Sequence, residues 1–218
     1  MVASAPPSRL ATAWRAAWAD AGLRGQLVAT PVALVVTLGV LAKFLARIED
    51  RPGVLLSDPV LSAVKPHDST WLVFGVLYAS VVVSLGVLAF HPRAAVVGIQ
   101  AYVVMIWARM IVMYVTPLDP PLDAIALRDP IIEILGTGRE LTRDLFFSGH
   151  TSTLFLLFLG VPGRRIKALL AAGTIGVAVG VLRQHVHYTV DVLCAPPFAF
   201  ASLRLVQALH VRLQGTER

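Results

Sequence analysis

The stretch LFFSGHTSTLFLL, residues 145 to 157, sets His150 at the head of a segment apolar enough to enter a bilayer. A titratable group there is costly, and intramembrane ionisable residues are functional candidates by default. A second group, RQHVHYTVD over 183–191, holds His185, His187 and Asp191. His187 and Asp191 are four apart and share a face if that segment is helical. A carboxylate one turn away holds an imidazole in one tautomer and stabilises its protonated form. A histidine supported in this way is a nucleophile toward phosphorus or carbon. His150 would then protonate the leaving oxygen and later take the proton of the acceptor.

The surroundings of His150 suit phosphate. Ser148 and Thr151 are good helix-start residues, and Gly149 lets a ligand approach the backbone. Free N–H groups at a helix start form an anion site. Arg109 adds a permanent forked donor matched to phosphate oxygens. Each residue alone has a plainer explanation: a snorkelling histidine, an arginine reaching headgroups, an aspartate at a helix N-terminus. Zinc is the chemical competitor, with His150, His185, His187 and Asp191 as ligands. His-x-His is a weak signal, however, because alternate positions on a helix point apart. Zinc is therefore the lesser reading of these residues.

The elements that must position these groups are membrane helices. Of 218 residues, 56% are hydrophobic and 15% charged, too apolar for an ordinary soluble domain. A bilayer core of ~30 Å needs about 20 mainly apolar residues per helix. Windows at 26–46, 70–90, 94–115, 145–161, 167–183 and 190–208 predict an all-α polytopic protein with six transmembrane helices; the fourth and fifth are short. Residues 1–25 read as an N-terminal segment, 26–208 as the membrane domain and 209–218 as a tail. Over 8–24, Leu10, Trp14, Trp18 and Ala21 fall on one helical face. That suits an amphipathic helix in the membrane interface, or one packed against the protein. The first apolar stretch lacks a small-residue cleavage site, so no removable signal peptide is expected. Cys194 reads as a buried thiol, and Pro31, Pro196 and Pro197 as irregularities within helices.

Six spans would bring His150, the 185–191 group and the end of the third span, with Arg109, to one face. The tight GRRIK turn (163–167), with Arg9, Arg15, Arg24 and Arg93, lies at the other. By the positive-inside rule that second face is cytoplasmic and the site faces outward from the cell membrane. The net charge of +6 is matched to anionic lipids rather than to nucleic acid.

RDLFFSGHT (143–151) and HVHYTVDV (185–192) resemble the paired signatures of the sphingomyelin synthase family, a branch of the type 2 phosphatidic acid phosphatase superfamily. RMIVMYVTPLDPP (109–121) is similar to that family's arginine-led motif, and LLSDPV (55–60) is a weak likeness of its first-loop motif. The likeness covers roughly 50–207. It departs from the phosphatases: Phe147 precedes the Ser-Gly-His, no K-x6-R-P appears, and position 181 is Val where an arginine would stand.

The resemblance implies that His187 is a nucleophile forming a phosphohistidine, that Asp191 orients it, and that His150 is acid and then base. Asp144 would assist at the same site, with Arg109, Ser148, Gly149 and His185 on the substrate. Glu133 and Glu140 are nearby acids without a clear counterpart. The implied partners are a phospholipid donor and a lipid alcohol, ceramide or diacylglycerol, and the resemblance implies no metal and no organic cofactor. Water as acceptor would instead make a lipid phosphatase or phospholipase C-like hydrolase of the same residues. A non-catalytic lipid-binding protein or transporter is the third reading; the inverted repeats common in transporters are not evident.

Overall fold

The computed structural model describes residues 8–129 and 141–216. Glu133 and Glu140 therefore lie outside the described residues. The regular structure among the described residues is helical, apart from one isolated parallel bridge between Val54 and Leu118. The helices are α1 (Arg9–Ala19), α2 (Ala21–Ile48), α3 (Pro59–Ala63), α4 (Thr70–Leu88), α5 (Pro92–Val115), α6 (Gly149–Gly160), α7 (Arg164–Arg183) and α8 (Thr189–Thr216).

Five of these, α2, α4, α5, α7 and α8, are long and apolar enough to cross a membrane. The window read as a span over 145–161 is shorter than expected. Its helix has 12 residues, about 18 Å at ~1.5 Å per residue. It begins only at Gly149, where the Ser148 hydroxyl accepts the Thr151 N–H, so Leu145–Phe147 stand outside it. The expected helix over 8–24 is also two pieces. Asp20 ends α1 in an extended conformation and caps α2 by accepting the Leu23 N–H. Ala21 thus belongs to α2 and not to α1. Trp14 donates to the Ala89 carbonyl at 2.8 Å and Ala17 is buried, while Trp18 is 46% exposed. α1 both packs on the protein and leaves an aromatic outside. Pro31, Pro196 and Pro197 do not interrupt α2 or α8.

α6 sits in the middle, packed on α4, α5, α7 and α8, and α2 lies outermost against α5. Small residues let the long helices approach. Ala101, Ala195 and Ala199 are fully buried where α5 meets α8, around the stacked rings of Phe147 and Phe198. A Cβ on Gly180 would come within 2.8 Å of Val73 Cγ2, so glycine sets the α4–α7 spacing. Close backbone approach of this kind is how helices associate where lipid tails remove the hydrophobic drive.

The chain alternates direction, so the ends of α2, α5 and α7 meet the starts of α4, α6 and α8. At this end the loops are stitched together. Glu49 accepts from Thr142 and Arg143, and Arg143 also pairs with Asp119 at 2.8 Å. Fully buried Gln184 accepts the Ser69 N–H and donates to Thr70 Oγ1 and the Ala126 carbonyl. The last carbonyls of α7 accept the His67 and Ile125 N–H groups, which satisfies helix-end acceptors that have no intrahelical partner. Gly53 fits where a Cβ would lie 2.3 Å from the Leu118 carbonyl carbon. Because that neighbour is backbone, Gly53→Ala is expected to destabilise the protein by about 1–3 kcal/mol. Thermal unfolding in detergent measures this, and an unchanged midpoint would contradict the loop packing.

Candidate functional site

The site is built where α6 and α8 begin, beneath these loops. α7 ends in a Schellman motif: the His185 N–H bonds Leu182 O at 3.0 Å and the Val186 N–H bonds Val181 O at 3.2 Å. Val186 packs against the cluster that holds Val181, the apolar contact usual in this motif. The motif needs a left-handed residue at the position of His185, whose φ is +56°. Glycine is the ordinary occupant, since a side chain there costs roughly 1–2 kcal/mol. His185 is nonetheless 4% exposed, with Nε2 buried and unpartnered among the described residues. An imidazole kept at a glycine position is a reason to look for a role. His185→Gly is expected to leave the thermal midpoint unchanged or raised, so that lost activity would report the imidazole itself. A lowered midpoint would mean that the side chain is a packing element.

His187 follows two residues later and, contrary to the helical-face expectation, precedes α8. It still meets Asp191, with Nδ1 3.3 Å from Oδ2 and both residues buried. The same Oδ2 accepts the Tyr188 N–H at 3.0 Å. Asp191, in the first turn of α8, therefore closes the helix start in capping-box fashion and also holds the imidazole. The helix-start reading of this aspartate is met, and the same carboxylate also lies against the His187 ring.

The Ser-Gly-His segment is tied to the same point, because the Ser148 N–H donates to the Asp191 carbonyl at 3.1 Å. His150 then faces His187, with ring centroids 6.3 Å apart and rings 65° to one another. The Phe74 ring also packs on His150, with centroids 5.5 Å apart and rings 72° to one another. His150 Nδ1, Thr151 Oγ1 and Asp191 Oδ1, like His185 Nε2, are buried without a hydrogen-bond partner among the described residues. Such groups are rare in folded proteins.

Arg109, on α5, is buried beside them. Its Nε donates to the Phe147 carbonyl at 2.6 Å and Nη2 to the Asp144 carbonyl at 3.2 Å. Nη1 lies 2.7 Å from Asp144 Oδ1, an ion pair without the alignment of a hydrogen bond. A Cβ on Gly149 would approach Arg109 Cζ to 3.2 Å. A side chain here would push the guanidinium back by a few tenths of an ångström, so the glycine sets how closely it lies over the start of α6. All eight residues expected from the sequence fall in this region. Ser148 contributes mainly through its N–H and as the α6 cap. Among the described residues no three His, Cys, Asp or Glu side chains form a metal-binding set.

No model of a known family and no curated protein matches the chain.

Other residues of this end were not anticipated. Tyr188 is 1% exposed; its hydroxyl donates to the Asp119 carbonyl and accepts the Leu56 N–H. Asp58 accepts both the N–H and the hydroxyl of Thr189. Burial works against its ionised form, yet the donors of Thr189, Leu61 and Val60 outweigh it and hold the carboxyl below its usual range. Tyr78, on α4, donates to Asp129 at 2.5 Å. Asp58 also caps the short helix α3, with Pro59 at its first position, while its partner Thr189 lies 131 positions away.

Proposed function

We propose that this protein is an integral-membrane lipid phosphotransferase resembling the sphingomyelin synthases. It moves a phospho-headgroup from a glycerophospholipid to a lipid alcohol, ceramide or diacylglycerol. The observation that carries the reading is the buried His187–Asp191 pair facing His150, with Arg109 held at the same helix start.

The chemistry follows from which atoms are engaged. Asp191 occupies the Nδ1 side of His187, so Nε2 attacks phosphorus. The bond between phosphorus and the diacylglycerol oxygen breaks as the P–N bond forms, and His150 gives its proton to that oxygen. The acceptor hydroxyl then loses its proton to His150 and attacks phosphorus, and the P–N bond breaks. Arg109 and the N–H groups at the start of α6 offset the charge on the phosphoryl oxygens. The two half-reactions balance with no cofactor.

In this reading α6, with the extended residues before it, completes a sixth crossing, and both termini lie in the cytoplasm. Arg9, Arg15, Arg24, Arg93, Arg164, Arg165 and Lys167 belong to the end opposite the site. The loop end also holds Arg47, Arg51, Lys65, Arg128 and Arg143, but in longer loops, whereas the tight turn before α7 is the short kind that the rule weights most. The basic end faces the cytoplasm by the positive-inside rule. The site then opens at the outer leaflet of the cell membrane, and α1 lies along the inner interface.

The test is lipid mass spectrometry on purified protein in vesicles of mixed glycerophospholipids, with and without ceramide and diacylglycerol. A new phospholipid on the added alcohol, with diacylglycerol released from the donor, is the expected result. Free phospho-headgroup or inorganic phosphate irrespective of acceptor would make the protein a hydrolase. Lipids recovered unchanged would remove the enzymatic reading.

A further inference from the structure

We propose that Asp58, in the loop between α2 and α4, is a positioning residue that fixes the start of α8 and thereby the His187–Asp191 pair. The inference rests on the phosphotransferase reading above and extends it to a residue that touches none of the reacting atoms.

Thr189 stands midway between His187 and Asp191. Its backbone N–H donates to Asp58 Oδ2 at 2.6 Å and its hydroxyl to Oδ1 at 3.0 Å. A carboxylate on the first N–H of a helix is a charge-assisted bond at the favourable end of the helix dipole. The same Oδ1 caps α3, accepting from Val60 at 2.9 Å and Leu61 at 3.3 Å. One residue earlier, the Tyr188 hydroxyl is held between the Leu56 N–H and the Asp119 carbonyl. Residues 56 to 58 thus grip residues 188 and 189 by three hydrogen bonds. This grip matters because His187 precedes the helix and has no helical register to place it. The 3.3 Å contact with Asp191 depends on where 188 and 189 are held. Misplacing a catalytic group by about 1 Å can cost ~100-fold in rate.

Asp58→Asn isolates the link. The amide oxygen can still cap α3 and receive the Thr189 hydroxyl, but its NH2 is set against the Thr189 N–H. Initial rates would be measured with a fluorescent short-chain ceramide in vesicles of phosphatidylcholine, phosphatidylethanolamine and phosphatidylglycerol, well below each variant's thermal midpoint. The expected result is a kcat lowered roughly 10- to 100-fold with KM within about 2-fold of wild type. Asp68→Asn serves as control: Asp68 accepts the Thr70 N–H at the start of α4 and does not reach α8, so its kcat should stay at the wild-type value. Thr189→Val, which removes only the hydroxyl bond, should lower kcat by a smaller factor and keeps the test open if Asp58→Asn does not fold.

His187→Ala is run in parallel. If it turns over like wild type, the reading of the site itself fails. If it is inactive while folded Asp58→Asn or Thr189→Val keeps the wild-type kcat, or changes KM alone, the positioning role is overturned. An equal loss of kcat in Asp68→Asn would also overturn it, by showing a general loop effect.

Discussion

Replacing His187 with alanine is expected to reduce lipid turnover by roughly 10⁴-fold or more, the scale seen when a nucleophile that works as part of a unit is removed. The fold should survive, since the Tyr188 N–H and the Ser148 N–H still reach Asp191. The cost in stability is the desolvated Asp191 carboxylate left with one partner fewer, about 1–3 kcal/mol. A covalent mechanism also makes a finer prediction. After brief exposure to a donor labelled on phosphorus, wild-type protein should carry label that is stable to base and lost in acid, as a phosphohistidine is. His187→Ala should carry none. His150→Ala separates the two steps. It should lose turnover of a lipid donor, whose alkoxide needs a proton. It should still accept label from a nitrophenyl ester, whose leaving group does not. Label on His187→Ala protein would overturn the assignment of the nucleophile.

Much of this site was legible because its chemistry lies in short segments. His150 within Ser-Gly-His, and His187 four before Asp191, are local patterns, and alternation of apolar helices brings their segments to one end. The same reasoning located Arg109 near the end of α5. It went astray where tertiary contacts outweigh periodicity. Four-residue spacing suggested a helical face for His187 and Asp191, but the Schellman motif at His185 stops α7, and the chain regains helical geometry only at Thr189. The apolar run at 145–161 looks uniformly helical, yet Leu145 and Phe147 are spent on packing: Leu145 against Leu61 and Tyr188, Phe147 against Phe198. Hydropathy sees that these residues are buried, not in which backbone conformation. Hardest to foresee was the stitching of the loops. Gln184, Tyr188, Asp119 and Asp58 are ordinary polar residues in sequence. They matter because buried backbone donors and acceptors at helix ends must find partners, and those partners lie tens of positions away.

The second large effect concerns Arg109, where sign and size separate structure from function. Its guanidinium makes two hydrogen bonds to carbonyls and one ion pair, so not all of its five N–H groups are engaged. Arg109→Ala strands the Phe147 carbonyl and removes the counter-charge of Asp144. It should destabilise the protein by about 2–4 kcal/mol while lowering turnover ~100- to 1000-fold. Arg109→Lys keeps the charge but not the fork, so it should regain part of the stability and little of the rate. Gly149→Ala separates the two quantities more cleanly. At the first position of α6 alanine gains only part of the roughly 0.5–1 kcal/mol it holds over glycine in a helix interior. Its methyl would press on the Arg109 guanidinium from 3.2 Å, so the guanidinium must shift by a few tenths of an ångström. The expected outcome is a thermal midpoint near wild type with turnover down about 10-fold or more. A stable Gly149→Ala protein with full activity would mean that Arg109 holds the Ser-Gly-His segment in place and takes no part in binding phosphate.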